Sequence, residues 1–464
     1  MEIEYEQLLR EQQQSEQQQR QQPGSRLFRA NSQLKGDIFN IFSCMEEFDD
    51  LFRNPSNDSL FEESPEEKFS LSFGDLLQAY REAKKHKSNT DSQILFSMDL
   101  SVNLLELYRE IVSGTYRIST SKCFIVTRPK PREVFAANFR DRIVHHVVID
   151  KLMPHFQETF IENSFSCMPK KGTLFGAKKL QEAMKRHPNG NVYIHDISGF
   201  FMHLRKDLLW EMLKEYIEEK FINDQKTKLL LLFLVEKIVM HHPELDCDIK
   251  GDEKLWSVLD KSKSLFTAPE NCGLAIGNLT SQLFANFYLD KLDKFLYEKF
   301  GDDYGRYVDD FFIVCDDPEK VKSVIPDIEK ILSDLGLTLH PKKRYSQPVR
   351  HGAKFLGYVV RKDRVYISNR TLGNFQDAID NFNTMEEDVF SISGCIRSLN
   401  SYLGFTSYCN SYKVVDKILK NLEERWFKYL DINDDTLTNK EKEKGKIFKR
   451  CLRLLWKYKI INKI

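Results

Sequence analysis

Arg306-Tyr307-Val308-Asp309-Asp310-Phe311-Phe312-Ile313-Val314 is the stretch whose reading decides the fold. Strand-forming residues flank two adjacent carboxylates, which predicts a tight hairpin with both acids at its tip. Like charges so placed are costly unless cations neutralise them. A second apolar alternation, Asn191-Val192-Tyr193-Ile194-His195, ends in Asp196 and can deliver a third carboxylate to the same place. Three hard-oxygen donors suit two Mg²⁺ ions about 3.5–4 Å apart, the arrangement that drives in-line nucleotidyl transfer. Taken alone, Asp-Asp is far more often only a polar turn.

The surrounding order of motifs narrows the choice. Arg140-Asp141-Arg142-Ile143-Val144-His145-His146 comes first, then Asp196-Ile197-Ser198-Gly199-Phe200-Phe201, then Ile276-Gly277-Asn278-Leu279-Thr280-Ser281-Gln282. Tyr307-Val308-Asp309-Asp310 and Lys354-Phe355-Leu356-Gly357-Tyr358 follow. From about residue 76 to 420 this series resembles the ordered blocks of reverse transcriptases: fingers, first catalytic acid, template-and-nucleotide block, YxDD box and primer grip. The resemblance implies an α+β right-hand polymerase with fingers, a palm of the split β-α-β, ferredoxin-like type and a helical thumb. The expected bounds are a Gln-rich, acidic extension over 1–70 (a solvated helix or disorder), fingers over 71–185, palm over 186–365, and thumb with a basic tail over 366–464.

The same resemblance implies roles. Asp196, Asp309 and Asp310, with the backbone carbonyl of Ile197, would hold two Mg²⁺ ions. Phe201 stands where the family has an aromatic that excludes a 2′-hydroxyl, and Arg132, with Lys130 or Lys122, would clasp the triphosphate. Ile276, Gly277, Gln282 and Tyr307 would line the nucleotide and template side. Lys343 resembles a lysine proposed to protonate departing pyrophosphate, and Lys342 competes for that role.

One departure selects among relatives. Most have Gln before the glycine of the template block and Pro after its serine, whereas this chain has Ile276 and Gln282. That form resembles reverse transcriptases of diversity-generating retroelements, which copy a template RNA into cDNA with errors at adenines and act with a small basic accessory protein. An alkyl group in place of an amide near the incoming nucleotide would weaken checking of the nascent pair. Alternatives are a phage-defence or other prokaryotic reverse transcriptase and, from another class, a non-enzymatic RNA-binding scaffold. A pure scaffold has no need of three clustered carboxylates.

Composition sets bounds. Lys plus Arg and Asp plus Glu are both 69, so any basic surface is local. The nine cysteines form no Cys-x-x-Cys pair, and no apolar run reaches a membrane span, which leads us to expect a cytoplasmic protein, and the resemblance implies a prokaryotic one. Spacing predicts one long helical region over 206–240. It also predicts an amphipathic helix over 318–335 that kinks or restarts at Pro326. Asp246-Cys247-Asp248 reads as polar loop, Phe200-Phe201 as adjacent strand residues with one in the core, and Arg140 and Arg142 as candidate partners of Asp141. His145-His146 and His241-His242 lack the company of a metal-ligand cluster.

Overall fold

The computed structural model describes residues 68–85, 90–127, 130–341, 344–407 and 409–427, within a unit that begins at Lys68. The Gln-rich segment and the end of the basic tail lie outside the described residues. Three helices open the unit: α1 (Phe73–Lys84), α2 (Asp91–Met98) and α3 (Leu100–Val112). A reciprocal capping box between Ser72 and Asp75 starts α1. A hairpin follows as β1 (Ser121–Val126) and β2 (Arg132–Ala136), and then α4 (Phe139–Thr159). Arg140 pairs with Glu110, and only its Nε approaches Asp141, at 3.9 Å. Arg142 donates instead to the Ala137 carbonyl at 3.0 Å. Buried Asp141 accepts from the Tyr116 hydroxyl at 2.8 Å and the Ser119 amide at 3.1 Å, and desolvation raises its pKa to about 6.

Next come α5 (Thr173–Arg186), β3 (Asn191–Asp196) and a short helical turn, α6 (Phe200–His203). Phe200-Phe201 is thus helical where a strand was expected, because Gly199 at φ 54° turns the chain just past Asp196. The expected long helix is two, α7 (Lys206–Lys220) and α8 (Gln225–Met240), packed together. Asp224 makes the break by accepting from the Thr227 amide at 3.0 Å and so capping α8. Asp246-Cys247-Asp248 is likewise no loop. β4 (Cys247–Ile249) pairs in parallel with β1, so a distant segment completes that sheet.

After α9 (Lys254–Val258) come α10 (Leu279–Tyr288), α11 (Asp290–Phe300), β5 (Tyr304–Tyr307), β6 (Asp310–Cys315) and α12 (Pro318–Asp334). Helix α12 continues through Pro326 without interruption. β7 (Tyr345–Pro348) completes a four-stranded sheet of order β5-β6-β3-β7. Alternation buries both faces of that sheet. Tyr193, Tyr304, Phe311 and Ile313 meet the core of α4, α7, α8 and α10–α12. Val192, Ile194, Phe312 and Val314 meet α5 and the small sheet of β8 (Ala353–Phe355), β9 (Tyr358–Val360) and β10 (Val365–Ile367). α13 (Asn369–Thr384), α14 (Val389–Thr406), α15 (Tyr412–Leu419) and α16 (Glu424–Phe427) form a third core that buries Trp426. No described helix is long and apolar enough to cross a membrane.

At the end of the β5-β6 hairpin away from the acids, His187 joins two carboxylates, Asp303 at 2.8 Å and Asp316 at 2.6 Å. Burial lowers its pKa, but the bonds to both acids outweigh it and the net shift is upward. A raised folded-state pKa contributes stability that is full below the unfolded value of about 6.5 and is lost as pH rises through the folded value. The melting temperature of the native chain should therefore exceed that of His187→Gln most at about pH 5.5, with the gap closing toward alkaline pH. A gap that widens with pH would contradict this role.

Candidate active site

Antiparallel register sets Asp196 of β3 directly opposite Asp310 of β6, a pairing that places Cβ atoms about 4.5–5.5 Å apart on one face. Asp309 is next along the chain, in the two-residue turn between Tyr307 and its partner Asp310. The Ile197 amide donates to the Asp309 carbonyl at 3.1 Å, and the His340 amide donates to the Asp196 carbonyl at 2.8 Å. Asp196 is buried, and Asp309 and Asp310 are half-buried. Sheet pairing thus brings Asp196 and Asp310 together, and the turn carries Asp309 beside them.

The turn itself is strained. φ is 59° at Val308 and is not positive at Asp309, the pattern of a type II′ turn whose first central position ordinarily takes glycine. A left-handed backbone at a residue with a side chain costs about 1–2 kcal/mol. A hydrogen bond from a charged donor supplies about 1.5–3 kcal/mol, and Arg306 Nη1 gives one to the Val308 carbonyl at 2.8 Å. Arg306 is fully buried. Burial opposes its charge, and Asp293 beside it more than restores that charge through a two-pronged pair.

A strap that sequence reasoning missed runs beside β5. The Arg306 amide donates to the Asn163 carbonyl and the Phe165 amide to the Arg306 carbonyl, both at 2.9 Å. Gly305 allows this close approach: a Cβ there would lie 2.6 Å from Phe165. Further along, Cys167 at φ 54° gives its thiol to Gln282 Oε1 at 2.7 Å, so the strap links the YVDD hairpin to α10. Tyr307 is half-buried against the second core, and its phenol is pushed up by burial, with Ser166 and Arg132 among its electrostatic neighbours.

The residues expected on the nucleotide side gather at the β1-β2 sheet. The Phe135 amide donates to the Ile276 carbonyl at 2.9 Å, and Gly277 has φ 127°. A Cβ at Gly277 would lie 2.8 Å from Val134 Cγ1 and 2.9 Å from the Phe135 carbonyl oxygen, so only glycine fits. Phe200 is core, whereas Phe201 is half-buried and packs in one apolar cluster with Ile276 and Phe135. Arg132 and Lys130 are exposed at the hairpin end, Arg132 within electrostatic reach of Tyr307. Lys342 and Lys343 lie outside the described residues, while the flanking His340 is bonded to the Asp196 backbone. Leu356 and Gly357, at φ 50° and 86°, make the turn between β8 and β9. Tyr345, within electrostatic reach of Asp310, accepts from the Lys354 amide at 3.0 Å and so brings that turn toward the acids.

Among the described residues, no group of three or more His, Cys, Asp or Glu side chains is one that could hold a metal ion by itself. The donor set nevertheless fits Mg²⁺, which binds oxygen, keeps several waters and uses substrate phosphates in preference to an all-protein shell. The histidine pairs stand elsewhere. His145 is buried beside Thr280, with its pKa lowered to about 3 by burial, and Lys206 donates to the His241 carbonyl at 2.7 Å.

The family described as reverse transcriptase (RNA-dependent DNA polymerase) matches residues 127–360, just over half of the 464, and that span holds all three acids and the Ile276–Gln282 block. No curated protein matches the chain. Among solved structures, the chain is similar to apo telomerase from Candida tropicalis truncated from its C-terminal domain, at 14% identity and a TM-score of 0.39. That likeness covers 54% of this chain and 55% of the other, so the chain spans about half the length of that relative. The order of the motifs and the family match together lead to one assignment: this chain belongs to the reverse transcriptase family of RNA-dependent DNA polymerases.

Proposed function

We propose that the chain is an RNA-directed DNA polymerase that copies a template RNA into cDNA for a diversity-generating retroelement, with errors concentrated at template adenines. The observation that carries the polymerase reading is the register of Asp196 against Asp310, with Asp309 in the adjoining turn. These acids and the Ile197 carbonyl would hold two Mg²⁺ ions, which when bound activate the primer 3′-hydroxyl and neutralise the triphosphate. Arg132, helped by Lys130, clasps triphosphate oxygens through its planar fork. Phe201 fills the space below the deoxyribose, and Lys343 gives a proton to departing pyrophosphate. Residues 71–185, 186–365 and 366–464 serve as fingers, palm and thumb, following the first 70 as an extension.

The finer reading is supported by the Ile276–Gln282 block. Ile276 offers no polar group to a nascent pair, and its side chain packs in the apolar cluster that holds Phe201. Gln282 is tied through its Oε1 to Cys167. A site without an amide at position 276 loses the discrimination that a hydrogen bond to the pair would provide. A small basic accessory protein would complement a chain whose formal net charge is +0.

Sequencing cDNA made on a four-base template, with accessory protein and template RNA present, tests this reading. Errors should cluster opposite adenines, and Ile276→Gln should lower them by about tenfold, the scale of one lost polar contact of about 1.4 kcal/mol. ATP competed against dATP in the same reactions should reveal ribonucleotide entry in Phe201→Ala. Low and even errors in the native chain would leave a phage-defence or other prokaryotic reverse transcriptase as the better reading.

A further inference from the structure

Arg306 stands on β5, one residue before the YVDD box, with every nitrogen of its guanidinium engaged. Nε and Nη2 grip the Asp293 carboxylate of α11, which is also held by the Tyr304 hydroxyl at 2.6 Å. Nη1 reaches the Val308 carbonyl at 2.8 Å and Asn286 Oδ1 at 3.3 Å, and Nη2 also meets the Asn286 carbonyl at 3.3 Å and Ser164 Oγ at 3.4 Å. Two helices and the strap therefore fix the guanidinium, and its one remaining direction points at the turn that carries Asp309. A buried ion pair is weak evidence of stabilisation in itself, since apolar residues can fill such sites equally well. What apolar residues cannot do is hold a carbonyl against a strained φ.

We propose that Arg306 is a positioning residue for the polymerase reaction: anchored by Asp293, it holds the Val308 carbonyl, keeps Val308 at positive φ, and so fixes Asp309 beside Asp196 and Asp310. This rests on the reading of those acids as the metal-holding set. Arginine is required because one planar fork must grip a carboxylate with two nitrogens and present the third to a carbonyl, which the point charge of lysine cannot do. Once the bond is lost, the Val308 side chain favours relaxation to negative φ, and Asp309 moves with the peptide.

The test uses the full chain and follows Mg²⁺-dependent primer extension with a thermal melt of each variant. In folded Arg306→Lys, the Mg²⁺ concentration at half-maximal rate should rise and kcat should fall, each by about tenfold or more, while KM for dNTP changes little. Adding Val308→Gly to that variant should recover about tenfold, because glycine takes positive φ without a steric penalty. An unchanged Mg²⁺ midpoint in folded Arg306→Lys, or no recovery in the double variant, would overturn the proposal. Should Arg306→Lys fail to fold, Val308→Pro answers in its place, because it leaves the buried pair intact but locks φ negative. Loss of synthesis with an intact melt supports the account, and native activity sinks it. Asp309→Asn, run alongside, separates the two levels: if it stays active, the reading of the acids is wrong, and if it alone is inactive, only the role of Arg306 fails.

Discussion

Asp309→Asn and Asp310→Asn are each expected to reduce RNA-templated DNA synthesis by about a thousandfold or more, equivalent to about 4 kcal/mol of lost transition-state stabilisation. Each change keeps the shape of the side chain and removes the charge that would hold a metal ion. The fold has little stake in that charge, because both residues are half-buried at the end of the sheet, where β6 begins, and the core lies below them in Phe311 to Cys315. Three carboxylates gathered by register also repel one another in the absence of cations. Melting of either variant in chelator should therefore match or exceed that of the native chain, whereas a general loss of structure would lower it. A folded Asp309→Asn protein that extends primers at the native rate would remove the assignment of these acids.

The largest expected effect on stability is at Asp293, in the core beneath the hairpin. Asp293→Ala leaves the Arg306 guanidinium buried at 0% side-chain exposure without its counter-charge. Breaking a buried pair from one side costs about 3–5 kcal/mol, a large share of the roughly 5–15 kcal/mol that holds a typical protein together. Asp290 is the natural comparison. It begins the same helix and is also buried, but its partner at 2.6 Å is the half-exposed Lys294, so Asp290→Asn leaves no buried cation without a counter-charge and should cost less. Denaturant unfolding of Asp293→Ala and Asp290→Asn measures the difference, and equal losses would show that the Arg306 pair is not a keystone.

The central sheet was legible in the sequence because strand periodicity is local. Alternation in Asn191–His195 and the apolar run after Asp310 mark two strands, with Asp196 ending one and Asp309-Asp310 opening the other. What was not legible depends on contacts between distant positions. Arg306 reads locally as a flank of the YVDD box, since its partners are 13 residues away at Asp293 and 142 away at Ser164. Cys167 carries no periodic signal, and its bond to Gln282 crosses 115 positions. The pairing of β4 with β1 is hidden for the same reason, since three residues are too few to show alternation. The break between α7 and α8 was readable in principle. Asn223-Asp224 followed by Thr227 is a capping signal, outweighed by the continuous helical spacing on either side. At Phe200-Phe201 the misreading was one of period, and Gly199 was the residue that marked the turn.

Templated synthesis is the property that three acids at this hairpin must confer. The full chain is to be given an RNA template, a complementary primer, dNTPs and Mg²⁺, with Asp309→Asn beside it as control. We predict a primer-linked product that grows with time, is degraded by deoxyribonuclease and not by ribonuclease, reads as the complement of the template, and is absent from the Asp309→Asn reaction. Failure to extend on RNA with Mg²⁺ or Mn²⁺, with accessory protein and template RNA supplied and the chain shown to be folded, would contradict the polymerase reading.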